Sequence, residues 1–200
     1  MTLLEQISPE TFREGSIPVL ETKRVSLRAP RLEDAKTVAG LANDRRIAEN
    51  TARIPHPYKL TDAESFIAGA NKSAGAAVFL VTLRDGTVIG ACGVVNIEGQ
   101  PSELGYWLGV AYWGKGYATE ALHAVIDYTF TDLEHSALQA GARVTNPASR
   151  RVLEKCGFQW TGVGLYRIRA LSSSAPIDRF RLERGIWSAI KGWGRMKKVS

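Results

Sequence analysis

The stretch YWGKGYATEAL, Tyr112 to Leu122, sets Gly114 and Gly116 around Lys115 and passes at once into good helix formers. Glycine held at an ordered position costs roughly 0.5–1 kcal/mol relative to alanine, so a pair of them needs a purpose. A strand that runs into such a turn and then a helix leaves free backbone N–H groups beside the positive end of the helix dipole. Phosphate groups bind there readily. A tight structural turn would use the same residues, and local spacing leaves both readings open. Two other phosphate motifs are excluded. A P-loop ends in Lys-Ser or Lys-Thr, which this stretch lacks. The dinucleotide fingerprint carries a third glycine in the first unit of a parallel sheet, whereas this loop follows what reads as an antiparallel meander.

Two further residues could act on a proton. Glu103 lies in SELGYWLGV with Leu104, Tyr106 and Leu108 around it. Apolar surroundings raise a carboxyl pKa toward neutrality, as a general base requires; the alternative is a rim carboxylate bridging a surface lysine or arginine. Ser149 falls in the first turn of NPASRRVLEKCGF, where a serine can also satisfy an exposed backbone group. Cys92 and Cys156 have no metal spacing and read as reduced, buried thiols, with Cys156 structural before a helix-stopping glycine. No metal site is expected. His123 and His135 are expected at the surface or at helix ends.

The elements that position these residues follow from periodicity and punctuation. KRVSLRA (23–29) alternates as a strand, and Leu32, Ala35, Ala39 and Ala42 fall at helical spacing in RLEDAKTVAGLAND. Thr61 and Glu64 suggest a capping box opening a second helix. Between these helices RIPHPY (53–58) is held irregular by two prolines. AVFLVTL and TVIGACGVVNI are joined by RDGT, a strong hairpin signal, and SELGYWLGV (102–110) follows as a third strand. A helix from Gly116 carries Ala118, Ala121, Leu122, Val125 and Thr129 on one face, and ALQAGARV (137–144) is a strand. The next helix has Asn146 as N-cap, Pro147 at its first position and Gly157 as its stop. SSSAP (172–176) reads as a short loop, and FQWTGVGLY and DRFRLER finish as strands. The order predicts an α/β (α+β) fold: a mixed, mostly antiparallel sheet of about six to seven strands flanked by helices.

Two hundred residues, 44% hydrophobic, suit one domain with a sizeable core. Residues 1–20 read as an N-terminal extension, 21–186 as the domain and 187–200 as a basic tail. No apolar run approaches ~18 residues and no secretory pattern opens the chain, so a cytoplasmic protein without membrane partners is expected. The net charge of +6 suits an anionic cofactor or an acidic protein surface. Its basic residues are scattered, with no zinc-finger spacing, so direct nucleic-acid binding is not expected.

Taken together, YWGKGYATEAL and NPASRRVLEKCGF resemble the GNAT superfamily of acetyl-CoA-dependent N-acetyltransferases, most closely the branch with the ribosomal-protein alanine and serine N-terminal acetyltransferases. The resemblance runs from about Glu21 to about Glu183 and implies a splayed central strand pair with acetyl-CoA as cosubstrate. It implies that Trp113, Gly114, Lys115, Gly116, Tyr117, Ala118 and Thr119 bind the coenzyme. Backbone groups near Leu108 and Val110, together with Asn146, would hold the pantetheine arm. Glu103 corresponds to the base that often acts through water, and Ser149 to a serine near the cofactor sulfur. Many relatives place a tyrosine one turn beyond that serine; here the position is Leu153. His56 and Tyr58 lie in the loop that borders the acceptor site in relatives. The implied reaction is direct acetyl transfer to a primary amine, either a protein N-terminus or a small molecule, by a monomer or homodimer. The alternative is a non-catalytic acyl-CoA-binding module.

Overall fold

The computed structural model describes residues 17–70, 72 and 76–194; the segment 1–16 and the RMKKVS terminus lie outside the described residues. The chain runs β1 (Leu20–Glu21), β2 (Val25–Arg28), a 3-10 turn (Leu32–Asp34), α1 (Ala35–Ala42), α2 (Arg45–Ala48) and α3 (Leu60–Gly69). The meander follows as β3 (Ala77–Leu83), β4 (Val88–Ile97) and β5 (Gln100–Leu108). Then come a 3-10 turn (Val110–Tyr112), α4 (Tyr117–Thr131), β6 (Ala137–Arg143) and α5 (Pro147–Lys155). β7 (Gln159–Ile168), a 3-10 turn (Arg169–Leu171), β8 (Ser173–Glu183) and α6 (Arg184–Gly194) complete the described chain.

Eight strands form one sheet in the order β1-β2-β3-β4-β5-β6-β8-β7, and every pairing except β5 with β6 is antiparallel. α4 and α5 cover one face, burying Leu122, Val125, Ile126, Phe130 and Leu153 against Phe79, Leu104, Leu138 and Phe180. α1 and α3 cover part of the other face over Leu80, Val88 and Ala91. Alternation along a strand therefore decides which layer each side chain enters.

Several local expectations change. The helix expected from Leu32 begins as a 3-10 turn, because the Asp34 carboxylate accepts from the Arg31 N–H and both Arg28 Nη atoms at 2.7–2.8 Å. α3 begins at Leu60, and the reach-back is made by Asp62 to the Lys59 N–H at 2.9 Å, not by Glu64 to Thr61. SSSAP gives only Ser172 to a turn, at φ 50°; Ser173 already belongs to β8. The eighth strand, β1, is two residues long, too short to show a period.

The boundary drawn at residue 186 falls inside α6. That helix docks on α4: Trp187 lies 5.2 Å from the Phe130 ring and donates from Nε1 to Asp127 at 2.7 Å. Lys191 pairs with the same carboxylate at 2.7 Å. Replacing Trp187 with alanine removes a half-buried aromatic from this seam. Urea unfolding should show the Trp187→Ala variant less stable by about 2 kcal/mol, near the low end for losing a large core side chain. An unchanged midpoint would mean that this segment is a free tail.

Candidate active site

The parallel pair β5–β6 holds register at only two positions, Ser102 with Leu138 and Glu103 with Gln139. Beyond them the strands part, although β5 stays laddered to β4 and β6 to β8. The facing edges of Leu104–Leu108 and Ala140–Arg143 thus present backbone groups that no strand across the gap satisfies. A cavity of about 860 Å³ passes through this opening and is lined from both layers of the sheet.

On the α4 side Tyr106 points across the gap. Its hydroxyl lies 2.8 Å from the Ser149 Oγ, which α5 brings to the other wall. Ser149 stands there because the Asn146 side chain accepts from its N–H at 3.1 Å, as the predicted N-cap, with Pro147 beginning the helix. Burial pushes the Tyr106 phenol up to about 12, against the opposing hydrogen bond from Ser149. It is a neutral hydroxyl at any working pH. Leu153 is buried core and Cys156 has its thiol pushed by burial up to about 12, so neither is a reactive group.

Glu103 faces the other way. It shares a face with Gly105 and Trp107, and Trp107 packs with the α1–α3 cluster, whereas Leu104, Tyr106 and Leu108 point into the α4 layer. The apolar setting expected for Glu103 is therefore corrected: its Oε2 accepts from Arg53 Nη2 at 3.0 Å, and its side chain is 31% exposed. It lines the cavity together with Arg53, Tyr58 and Trp107. Tyr58 is held by its N–H to the Asn43 side chain at 2.9 Å, and burial pushes its phenol up to about 12. His56 is exposed and does not line the cavity, so of the two loop residues only Tyr58 reaches the site.

The glycine loop closes the end of β5. Gly114 (φ 73°) and Gly116 (φ 80°) both adopt left-handed backbone, and Gly116 is the N-cap of α4. Among the described residues no protein acceptor meets the N–H groups from Gly114 to Thr119, and Glu120 N–H is the first to bond back, to Gly116. Lys115 is exposed, and Tyr117, Ala118 and Thr119 form the first turn. Trp113 pins the loop: its indole N–H donates to the Leu108 carbonyl at 2.7 Å, and its backbone N–H to that of Val110 at 3.2 Å. Leu108 and Val110, near which backbone groups are expected to hold the cofactor arm, thus also anchor the loop through their carbonyls.

A second brace was not legible in the sequence. Glu120 accepts from Thr22 Oγ1 at 2.7 Å and from the Arg24 N–H and Nε, each at 2.6 Å. Arg24 Nη1 in turn donates to the Lys115 carbonyl at 2.8 Å, and the guanidinium lies 4.9 Å from the Tyr117 ring centre. Burial raises the Glu120 carboxyl, but the hydrogen bonds from Thr22 and Arg24 and the guanidinium charge outweigh it and hold it below its usual value. The loop is therefore tied to the turn that leads into β2 by an ion pair between residues 96 apart in the chain. Tyr106, Arg53, Arg24 and Glu120 were missed as site residues; alternation could have placed Tyr106 opposite Glu103, but no local signal marks the others.

Among the described residues no helix is long and apolar enough to cross a membrane. Residues 24–159 match the acetyltransferase (GNAT) domain family. An uncharacterized N-acetyltransferase, p20, of Bacillus licheniformis is 31% identical over 149 residues, covering 72% of this chain and 84% of that protein. The ribosomal-protein-S5-alanine acetyltransferase of Vibrio fischeri has a similar structure, with TM-score 0.72 and 21% identity over 86% of this chain and 99% of that one. Spermidine N-acetyltransferase from Vibrio cholerae, solved with CoA and spermine, aligns with TM-score 0.70 and 21% identity over 82% of this chain and 98% of its own. Nothing in these likenesses supports a non-catalytic module. Matched over more than half its length by that family and by a relative of similar size, the chain belongs to the GNAT acetyltransferases and is an acetyl-CoA-dependent N-acetyltransferase.

Proposed function

We propose that the chain transfers acetyl directly from acetyl-CoA to a primary amine in a ternary complex, with the two substrates meeting in the gap between β5 and β6. The observation that carries this reading is the cavity itself, which joins Glu103 on one face of the sheet to the Tyr106–Ser149 pair on the other. The coenzyme pyrophosphate lies on the free N–H groups of Gly114 to Thr119, at the positive end of α4. The pantetheine arm extends between the parted strand edges, beside Asn146, Leu108 and Val110. The amine enters on the Glu103 side, past Tyr58.

In the transfer the amine nitrogen attacks the thioester carbonyl, a C–N bond forms and the C–S bond breaks. The Glu103 carboxylate takes the ammonium proton before attack, directly or through a water, and the second proton that the nitrogen loses as the amide forms leaves to solvent; Arg53 holds one carboxylate oxygen, and the other meets no partner among the described residues. The electron pair of the broken bond goes to sulfur. Burial keeps the Tyr106 phenol in its neutral, hydrogen-bond-donating form. The Tyr106–Ser149 pair therefore stabilises the leaving thiolate by hydrogen bonding, and the thiolate is protonated from solvent. The acceptor is an amine-bearing molecule, a protein N-terminus or a small molecule, and the fold by itself does not choose between them.

Three measurements check these roles. Coenzyme A should raise the melting temperature of the parent protein by linkage. Gly116→Val should erase that rise while leaving a folded protein. Its new side chain would be strained at φ 80°, with Cβ 3.2 Å from the Arg24 guanidinium. An intact rise would return the loop to a plain turn. Ser149→Ala and Tyr106→Phe should each lower kcat about tenfold, with the KM for acetyl-CoA within a few-fold, because their contact strengthens as the thiolate forms. Normal turnover with lost stability would make the pair structural. Glu103→Gln should slow single-turnover transfer about 10²–10⁴-fold with coenzyme A affinity unchanged; parent-like transfer removes Glu103 as the base.

A further inference from the structure

We propose that the acceptor is a primary amine that also carries an anionic group, a carboxylate or a phosphate, a few bonds from the reacting nitrogen. This rests on the transfer reading above. The cavity is lined by four arginines, Arg53, Arg143, Arg179 and Arg181, against a single carboxylate, Glu103. Arg53 is neutralised by Glu103. Arg181 pairs with Glu183 at an exposed edge, and Arg143 donates only to the backbone carbonyl of Glu49, at 3.0 Å. Arg179 meets no carboxylate among the described residues. Two guanidinium charges therefore face the cavity without a counter-charge.

Their placement is set by the ladder. Glu103 registers with Gln139, and Gln139 with Arg181; Gly141, the next residue inward on the same face of β6, registers with Arg179. Phe180 and Leu182 point into the α4–α5 core, so Arg179 and Arg181 project from the opposite face, the one that carries Glu103. Two strand spacings separate the backbones of Glu103 and Arg181, about 10 Å. An arginine side chain spans more than half of that distance. Gly141 and Arg179 both line the cavity, and the Ile177 side chain closes over Gly141, where a Cβ would meet its Cγ2 at 2.9 Å. An amine seated at Glu103 thus leaves its substituent among guanidinium groups, which recognise planar or tetrahedral oxyanions bidentately. The same charges repel an acceptor bearing further ammonium groups.

The test compares matched acceptors on the parent protein: 3-aminopropyl phosphate and 4-aminobutyrate against 3-amino-1-propanol and spermidine. A peptide amide beginning Ala-Glu-Glu against one beginning Ala-Lys-Lys separates an anion on a small molecule from one on a polypeptide. The expected kcat/KM favours the anionic member of at least one matched set tenfold or more. In Arg179→Gln that ratio should fall to within about threefold of unity, with Arg179→Lys between, while the thermal shift from coenzyme A is retained. Equal rates, a preference for spermidine or the lysine peptide, or an unchanged ratio in Arg179→Gln overturns the proposal. If no amine is acetylated although coenzyme A binds, the transfer reading fails. The anionic class is then upheld only if 3-aminopropyl phosphate adds to the thermal shift and spermidine does not.

Discussion

The parting of β5 from β6 is the constraint on which the rest depends. Each strand is committed elsewhere, β5 to β4 along most of its length and β6 to β8 along all of it, so neither can turn to close the gap. Among the described residues β5 and β6 are paired only at Ser102 and Glu103. A buried, unclosed ladder is costly unless something satisfies its edges. Here α5 delivers Ser149 to Tyr106 across the opening, and in the proposed reading the coenzyme arm supplies what the missing strand partner would have supplied. The defect in the sheet and the active site are one feature.

The same economy of parts governs the glycine loop. Left-handed backbone at Gly114 and Gly116 turns a row of N–H groups outward, an arrangement with nothing of its own to prevent collapse. Trp113 ties the loop to the end of β5, and the Arg24–Glu120 pair ties it to the turn that leads into β2 and to the first turn of α4. The ion pair is partly exposed, where such pairs are individually weak, but three converging donors on Glu120 make it a network rather than a single contact. It holds the loop in place in advance, which would lower the ordering cost of binding the coenzyme phosphates proposed for it.

The two faces of the sheet divide the chemistry. The α4–α5 side holds the Tyr106 and Ser149 hydroxyls, and the opposite face holds Glu103 and the cavity arginines, so in the proposed mechanism the leaving sulfur and the acceptor amine lie on different sides of the sheet. A period of two along β5 is enough to send Tyr106 and Glu103 to opposite sides of one strand. The proposed mechanism thereby keeps acid–base work on the amine apart from stabilisation of the thiolate.

The sequence by itself determined whatever depends on short spacing. The hairpin at Asp85–Gly86, the glycine turn before α4, and the Asn146–Pro147 start and Gly157 stop of α5 are all local backbone requirements, and each appears where its residues stand. The family resemblance rested on the same punctuated segments. What the sequence could not determine were relations between distant residues. Glu103 looked apolar in its neighbourhood because chain neighbours are not spatial neighbours on a strand; its partner Arg53 is fifty residues away. Tyr106 and Ser149 are 43 residues apart and meet only because β5 and α5 flank the same gap. Arg181 is related to Glu103 only through two successive strand registers, and His56 falls outside the cavity although Tyr58, two residues on, lines it. Register, layer and long-range ion pairs come from how the sheet packs its two faces, and that was decided by the tertiary structure alone.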